Sequence, residues 1–156
     1  FDAVAALIGL RQQVTYEAQA AIELEGIAHG DAPLNAFGLL PDSNGTLMLD
    51  PAPVLHSIVE QWRAGTPVSM IAAGFHSAVA QSIVTVCEAL RAAGYGAAVA
   101  LSGGVFQNIR LLDDSVQLLR AHNFTVMFQR AVPGNDGGIA LGQAMIGAAQ
   151  LSKTRV

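Results

Sequence analysis

The chain has 156 residues, the length of one domain with a sizeable core, and 52% of them are hydrophobic against 13% charged. A net charge of −4, with eight Lys and Arg scattered singly, argues against electrostatic binding of nucleic acid. No apolar run reaches the roughly 18 residues of a membrane span, and the lone Cys87 has no partner for an internal disulfide or a Cys-type zinc site, so a reducing, cytoplasmic setting is expected. The mean hydropathy of +0.43 is high for a soluble domain, whose charged fraction is usually about 25%. Elements buried on both faces, or a face that another segment covers, are therefore expected. The chain starts at Phe1 inside a helical pattern, which predicts a piece of a longer, multidomain polypeptide.

Phe1 to Leu10 is Ala-rich and apolar and predicts a helix ending near Gly9. Thr15 is placed to cap a second helix over Tyr16 to Ala28, with Glu17 in its first turn and Ala20, Ala21, Leu24, Ile27 and Ala28 at helical spacing. Glu23 and Glu25 fall off that stripe. Gly30 to Gly45 reads as loop with a short strand near Ala36 to Leu40, and Asp42-Ser43-Asn44-Gly45 as a hairpin turn feeding Thr46 to Leu49. A helix is predicted over Pro53 to Arg63. Another, opened by Thr66 and Pro67, runs to about Ala93 with a bend near Gly74, and Gly94 and Gly96 end it.

Ala97 to Leu101 predicts a strand, Asn108 to Ala121 a helix, Thr125 to Phe128 a second strand, and Gly138 to Leu151 a closing helix. Strand, helix, strand and helix in this order predict an α/β fold with a parallel βαβ crossover.

Two glycine turns carry the candidate chemistry. Ser102-Gly103-Gly104 follows a strand and opens a helix, the arrangement that brings backbone N–H groups to a phosphate, or simply a tight strand-to-helix turn. Neither G-x-G-x-x-G nor a P-loop is present. Asn108 either offers its amide to a phosphate or ribose oxygen or caps the next helix. In Asn135-Asp136-Gly137-Gly138 the glycines permit close backbone approach, and Asp136 sits at a helix start. That carboxylate can ligate a metal or position a magnesium-phosphate group, or it is a plain N-cap. The two turns are expected to face one cleft.

His29, His56 and His122 show no metal-ligand spacing and read as surface or helix-end residues; His76, in an apolar helix beside Phe75, is kept as a candidate. Cys87 reads as a small buried residue.

Taken together, Phe1-Asp2-Ala3-Val4-Ala5, Tyr16-Glu17-Ala18-Gln19-Ala20-Ala21, Leu101-Ser102-Gly103-Gly104-Val105-Phe106-Gln107-Asn108 and Pro133-Gly134-Asn135-Asp136-Gly137-Gly138-Ile139-Ala140-Leu141-Gly142-Gln143 resemble, over essentially the whole chain, the C-terminal part of HypF. This is the carbamoyltransferase family of nickel–iron hydrogenase maturation. More distantly the blocks resemble the tRNA threonylcarbamoyladenosine synthase and antibiotic O-carbamoyltransferases. The resemblance implies one lobe of an actin-like (ASKHA) ATPase fold, with a small, mostly parallel sheet flanked by helices.

It also implies ATP-dependent transfer of a carbamoyl group from carbamoyl phosphate, through carbamoyl-adenylate, to the C-terminal cysteine of the partner HypE. On that analogy Gly103, Gly104 and Asn108 hold the adenylate, with Asn135 and Gly137 counted among the nucleotide-binding residues. Asp2 and Glu17 approach the ribose, and Asp136 ligates a divalent metal.

Two departures stand out. The family has Gly where this chain has Ala18, so a positive φ there would be strained. The paired metal-binding histidines of an H-x-x-x-H segment are not in this chain and are expected from outside it. The isolated chain is therefore expected to bind adenine nucleotide weakly and not to turn over. Two other readings are a docking or assembly module, whose apolar face marks an interface, and a lobe of another actin-like protein such as a sugar kinase.

Overall fold

The computed structural model describes residues 1–153. In chain order the elements are α1 (Asp2–Leu7), α2 (Gln19–Ile27), β1 (Gly38–Pro41), β2 (Leu47–Asp50), α3 (Ala52–Arg63), α4 (Val68–Ala92), β3 (Ala98–Leu101), α5 (Ile109–Ala121), β4 (Thr125–Phe128) and α6 (Ile139–Lys153). Short 3₁₀ turns at Gly104–Gln107 and Asp136–Gly138 precede α5 and α6. The α/β expectation holds. β3 and β4 pair in parallel with Leu101 opposite Phe128, and α5 connects them. β1 and β2 form the expected antiparallel hairpin, turned at Asp42, whose carboxylate accepts from the N–H of Asn44 and Thr46.

Helix α4 organises the interior. Its first half packs against α1, α2 and α3 through Ile71, Ala72 and Phe75, together with Val4, Ile8, Leu24, Val54 and Ile58. Its second half contributes Val84 to a separate cluster with Leu101, Val116, Leu119 and Phe124 from the βαβ unit. Each fully buried Leu or Ile here is worth on the order of 2–5 kcal/mol against Ala. By length and composition α4 would also cross a membrane, with 25 residues and a mean hydropathy of 1.5 in its most apolar window, although half of that window is buried inside this protein.

Several local expectations are corrected. Thr15 does not cap α2; the helix begins at Gln19, whose side-chain oxygen instead accepts from the Thr15 N–H at 2.8 Å. Glu17 consequently lies in the turn before α2 rather than in its first turn. Thr66 does not cap α4, because its hydroxyl donates to Gln61 at 2.7 Å. Gly74 does not break α4. A Cβ there would lie 2.1 Å from the Ala32 carbonyl oxygen, so the glycine lets the 32–34 segment lie against the helix. In α5 helical spacing puts Ile109, Leu112, Val116, Leu118 and Leu119 on the apolar stripe, but the buried positions are Leu111, Ser115, Val116 and Leu119, and Ile109 is 59% exposed.

Candidate functional site

The site lies along the seam between the two apolar clusters. β3 delivers the chain to Gly103, whose φ of 107° is open to glycine but strained for other residues. The turn then passes directly into the 3₁₀ segment Gly104–Gln107. The Gly103 N–H donates to the Gly134 carbonyl at 2.9 Å, and Gln129 Nε2 donates to Ser102 Oγ at 2.8 Å. The first of these bonds joins the two glycine turns, which were expected to face one cleft, and the second ties Ser102 to the residue directly after β4. Between them is a recess of about 280 Å³ whose walls include Gly103, Asn135, Asp136 and Gly138. Asn135 Oδ1 accepts from the Gly137 N–H at 3.1 Å, fixing the second turn. Asp136 is exposed within it.

A second cavity, of about 240 Å³, opens on the other side of Gly104. Phe1, Ala18, Ala21 and Ile22 face Gly104, Val105 and Asn108 across it, with Glu25 at its edge. Asp2 and Glu17 are both exposed and do not line this cavity; each is the chain neighbour of a residue that does, Phe1 and Ala18 respectively. Ala18 takes φ 61°, so the strain tied to a positive φ at this position is present. A larger concavity, about 620 Å³, is a separate open groove along residues 31–36, α4 and α5. It contains none of the glycine-turn residues, and volume alone gives it no chemistry.

Asn108 acts as the helix cap. Its Oδ1 accepts from the Leu111 N–H at 2.8 Å, while its Nδ2 donates to Nε2 of His76, also at 2.8 Å. The imidazole is fully buried and its Nδ1 donates to the Ala72 carbonyl at 2.7 Å. Burial pushes the His76 pKa below its ordinary value. Glu25 on α2 reaches the same helix end: its Oε1 accepts from Ile109 N–H at 2.7 Å and Arg110 N–H at 3.2 Å. Sequence periodicity placed Glu25 off the apolar stripe of α2 but gave no sign of this partner in α5.

Among the described residues no group of three His, Cys, Asp or Glu comes together to hold a metal. Asp136 offers one carboxylate where a magnesium ion takes roughly six oxygen ligands. The residues present therefore do not make a metal site by themselves.

Residues 1–143 match the family model described as "Carbamoyltransferase, Kae1-like Domain, second subdomain". The chain belongs to the HypF carbamoyltransferase family. The Carbamoyltransferase HypF of Rhodobacter capsulatus is 38% identical over 152 residues, which is 97% of this chain and 19% of that protein. The Synechocystis HypF is 34% identical over 146 residues, 93% of this chain and 18% of the relative.

Among solved structures, full-length HypF in its phosphate- and nucleotide-bound form superposes with a TM-score of 0.88 at 38% identity, covering 97% of this chain and 20% of that one. The crystal structure of T. kodakarensis HypF gives a TM-score of 0.76 at 28% identity over 97% of this chain and 19% of its own. The chain thus spans about a fifth of the length of these HypF proteins.

Proposed function

We propose that this chain is the nucleotide-holding lobe of a HypF-type carbamoyltransferase domain, and that it is inactive in isolation. The full reaction would be ATP-dependent carbamoyl transfer from carbamoyl phosphate, through carbamoyl-adenylate, to the C-terminal cysteine of a HypE-type acceptor in the cytoplasm. The observation that carries this reading is the pair of joined glycine turns, Gly103 to Gly134 at 2.9 Å, in a chain that superposes on a HypF crystallised with phosphate and nucleotide.

In this reading Gly103, Gly104, Asn135 and Gly137 present backbone to the adenylate. Asn108 supports them by holding the start of α5, and Asp2 and Glu17 flank the ribose. Asp136 is one ligand of a divalent metal whose paired histidines come from outside the chain.

The test is calorimetric titration with ATP and AMP. A Cβ at Gly104 would have as its nearest contacts Gln107 Nε2 at 3.8 Å and Asn135 Cβ at 3.9 Å. Gly104→Val should therefore fold normally yet block the turn. With magnesium-loaded ATP, whose cation the Asp136 carboxylate can meet, it and Asp136→Ala are each expected to weaken nucleotide binding by about tenfold or more, equivalent to about 1.4 kcal/mol. Unchanged affinity in both variants at equal folding overturns the reading.

The uncovered helix α6 favours a second role, as a packing surface for the rest of a HypF-type chain. Ile139, Leu141, Met145, Ile146 and Leu151 are all half or more exposed along it, and the relatives are about five times longer than this chain. A monodisperse monomer that binds no apolar-surface dye would sink that role.

A further inference from the structure

We propose that Glu25 is a specificity-determining residue of the cavity beside Gly104, excluding phosphate from it and so fixing which end of a nucleotide enters. The inference deepens the nucleotide reading above and rests on it for the ligand class.

The N-terminus of a helix ordinarily attracts anions, because its first amides lack partners and the dipole is positive there. In α5 those amides are already satisfied. Ile109 and Arg110 donate to the Glu25 carboxylate at 2.7 and 3.2 Å, Leu111 donates to Asn108 Oδ1 at 2.8 Å, and Leu112 donates to the Asn108 carbonyl at 3.0 Å. The negative charge that the dipole favours is supplied from α2, across 84 residues of sequence.

The same carboxylate borders the 240 Å³ cavity, whose other walls include the apolar Phe1, Ala18, Ala21, Ile22 and Val105. A phosphate entering there would meet a like charge and no free α5 amide, so the helix end could not replace the hydration it loses. An uncharged heteroaromatic ring meets apolar walls and keeps its polar edge toward Gly104 and Asn108. The cavity therefore takes the base, and the charged end of the ligand stays outside it, on the side of the second glycine turn.

The test uses the chain with inorganic phosphate, read at the amide NMR signals of Ile109 and Arg110, alongside calorimetry with adenosine. In the parent chain phosphate should leave both signals in place. Glu25→Ala frees the amides, so phosphate should shift both, with an affinity gain of about tenfold or more that added salt reduces.

Glu25→Gln keeps an acceptor oxygen for the two N–H groups and removes only the charge. It guards against a folding defect in the alanine variant and should show a smaller gain in the same direction. Equal phosphate shifts in the parent chain and the variants, or no shift in either variant, overturns the inference. The phosphate readout needs no nucleotide. Failure of adenosine to bind the parent chain thus counts against the nucleotide reading, while the phosphate shifts judge Glu25 separately.

Discussion

Asn108 Nδ2 lies 2.8 Å from His76 Nε2, and this bond links a loop beside the candidate nucleotide cavity to the interior of α4. The neighbours set the proton positions. The Ala72 carbonyl can only accept, so Nδ1 of His76 carries the hydrogen and Nε2 accepts from the Asn108 amide. The amide oxygen is then left for the Leu111 N–H, which it meets at 2.8 Å. A neutral imidazole thereby orients the side chain that caps α5. It sits where the α1–α4 cluster meets the βαβ unit, with the Phe1 and Phe75 rings packed edge-on at 5.1 and 6.4 Å.

Stability should depend on pH through His76. Burial lowers its pKa in the folded chain, whereas in the unfolded chain it protonates near pH 6.5. Around the ring, Arg110 also lowers the pKa, while Glu25, Asp114 and the Ala72 carbonyl oppose the shift. The unfolded state binds the extra proton, so folding stability is present above about pH 6.5 and declines as pH falls through the window down to the folded pKa. Protonation also turns Nε2 into a donor facing the Asn108 amide, which loosens the cap. Urea unfolding at pH 7.5 and 5.5 should show a larger loss for the parent chain than for His76→Gln, whose site does not titrate. Equal losses in the two proteins would remove His76 from the account, since every other carboxylate and histidine is common to both.

Asn108→Ala should cost about 2 kcal/mol. Loss of the N-cap contributes roughly 1 kcal/mol, and an unpartnered Nε2 on a buried His76 adds about another. Asn108→Asp keeps an acceptor for Leu111 and places a carboxylate against the imidazole, so the His76 pKa should rise. Urea midpoints and the His76 ring signals followed by NMR check both expectations. An alanine variant as stable as the parent chain would show that the His76 bond contributes nothing.

Much of the fold was legible because it is local. β4 falls at Thr125–Phe128 as the apolar run predicts, and β3 and α5 begin within a residue of their expected starts. What periodicity could not show is partnership between distant segments. Glu25 and Ile109 are 84 residues apart, and Gly74 faces the Ala32 carbonyl across more than a helix of sequence. A glycine inside a helix reads as a bend when its neighbour is unseen. Thr15 is the natural cap by type, but α2 starts four residues later, at Gln19, whose side chain accepts from the Thr15 N–H and donates to Glu23, which Arg11 grips at 2.8 and 2.6 Å. At the site, the glycine turns were visible as motifs, whereas the His76–Asn108–Leu111 chain and the Glu25 cap required the three-dimensional arrangement.

Gly74→Ala follows from the closest approach in the molecule at a glycine. The added methyl would lie 2.1 Å from the Ala32 carbonyl oxygen and 3.2 Å from Leu34 Cγ. The first atom is backbone, so relief requires the 32–34 segment to lift from α4 rather than a side chain to rotate. Overpacking of this kind costs on the order of 1–3 kcal/mol or more, which outweighs the gain of up to about 1 kcal/mol that Ala brings to a helix interior. Urea denaturation should therefore show a net loss. A more stable Gly74→Ala would mean that the segment beneath it yields freely.

Ala18→Gly should act in the opposite direction. Ala18 holds φ 61° and ψ 9° at the start of α2, a left-handed conformation that costs a residue with a Cβ roughly 1–2 kcal/mol. Glycine adopts it without that cost but loses more backbone entropy on folding, by about 0.5–1 kcal/mol, so a net gain of up to about 1 kcal/mol is expected. The residue is exposed and the Ile22 N–H to Ala18 carbonyl bond of 2.9 Å is a backbone bond, so the substitution removes no polar contact of the helix start. A higher urea midpoint with an unchanged slope is the expected result. A lower midpoint would show that the Ala18 methyl contributes more by lining the cavity with Phe1 and Val105 than its backbone strain takes away.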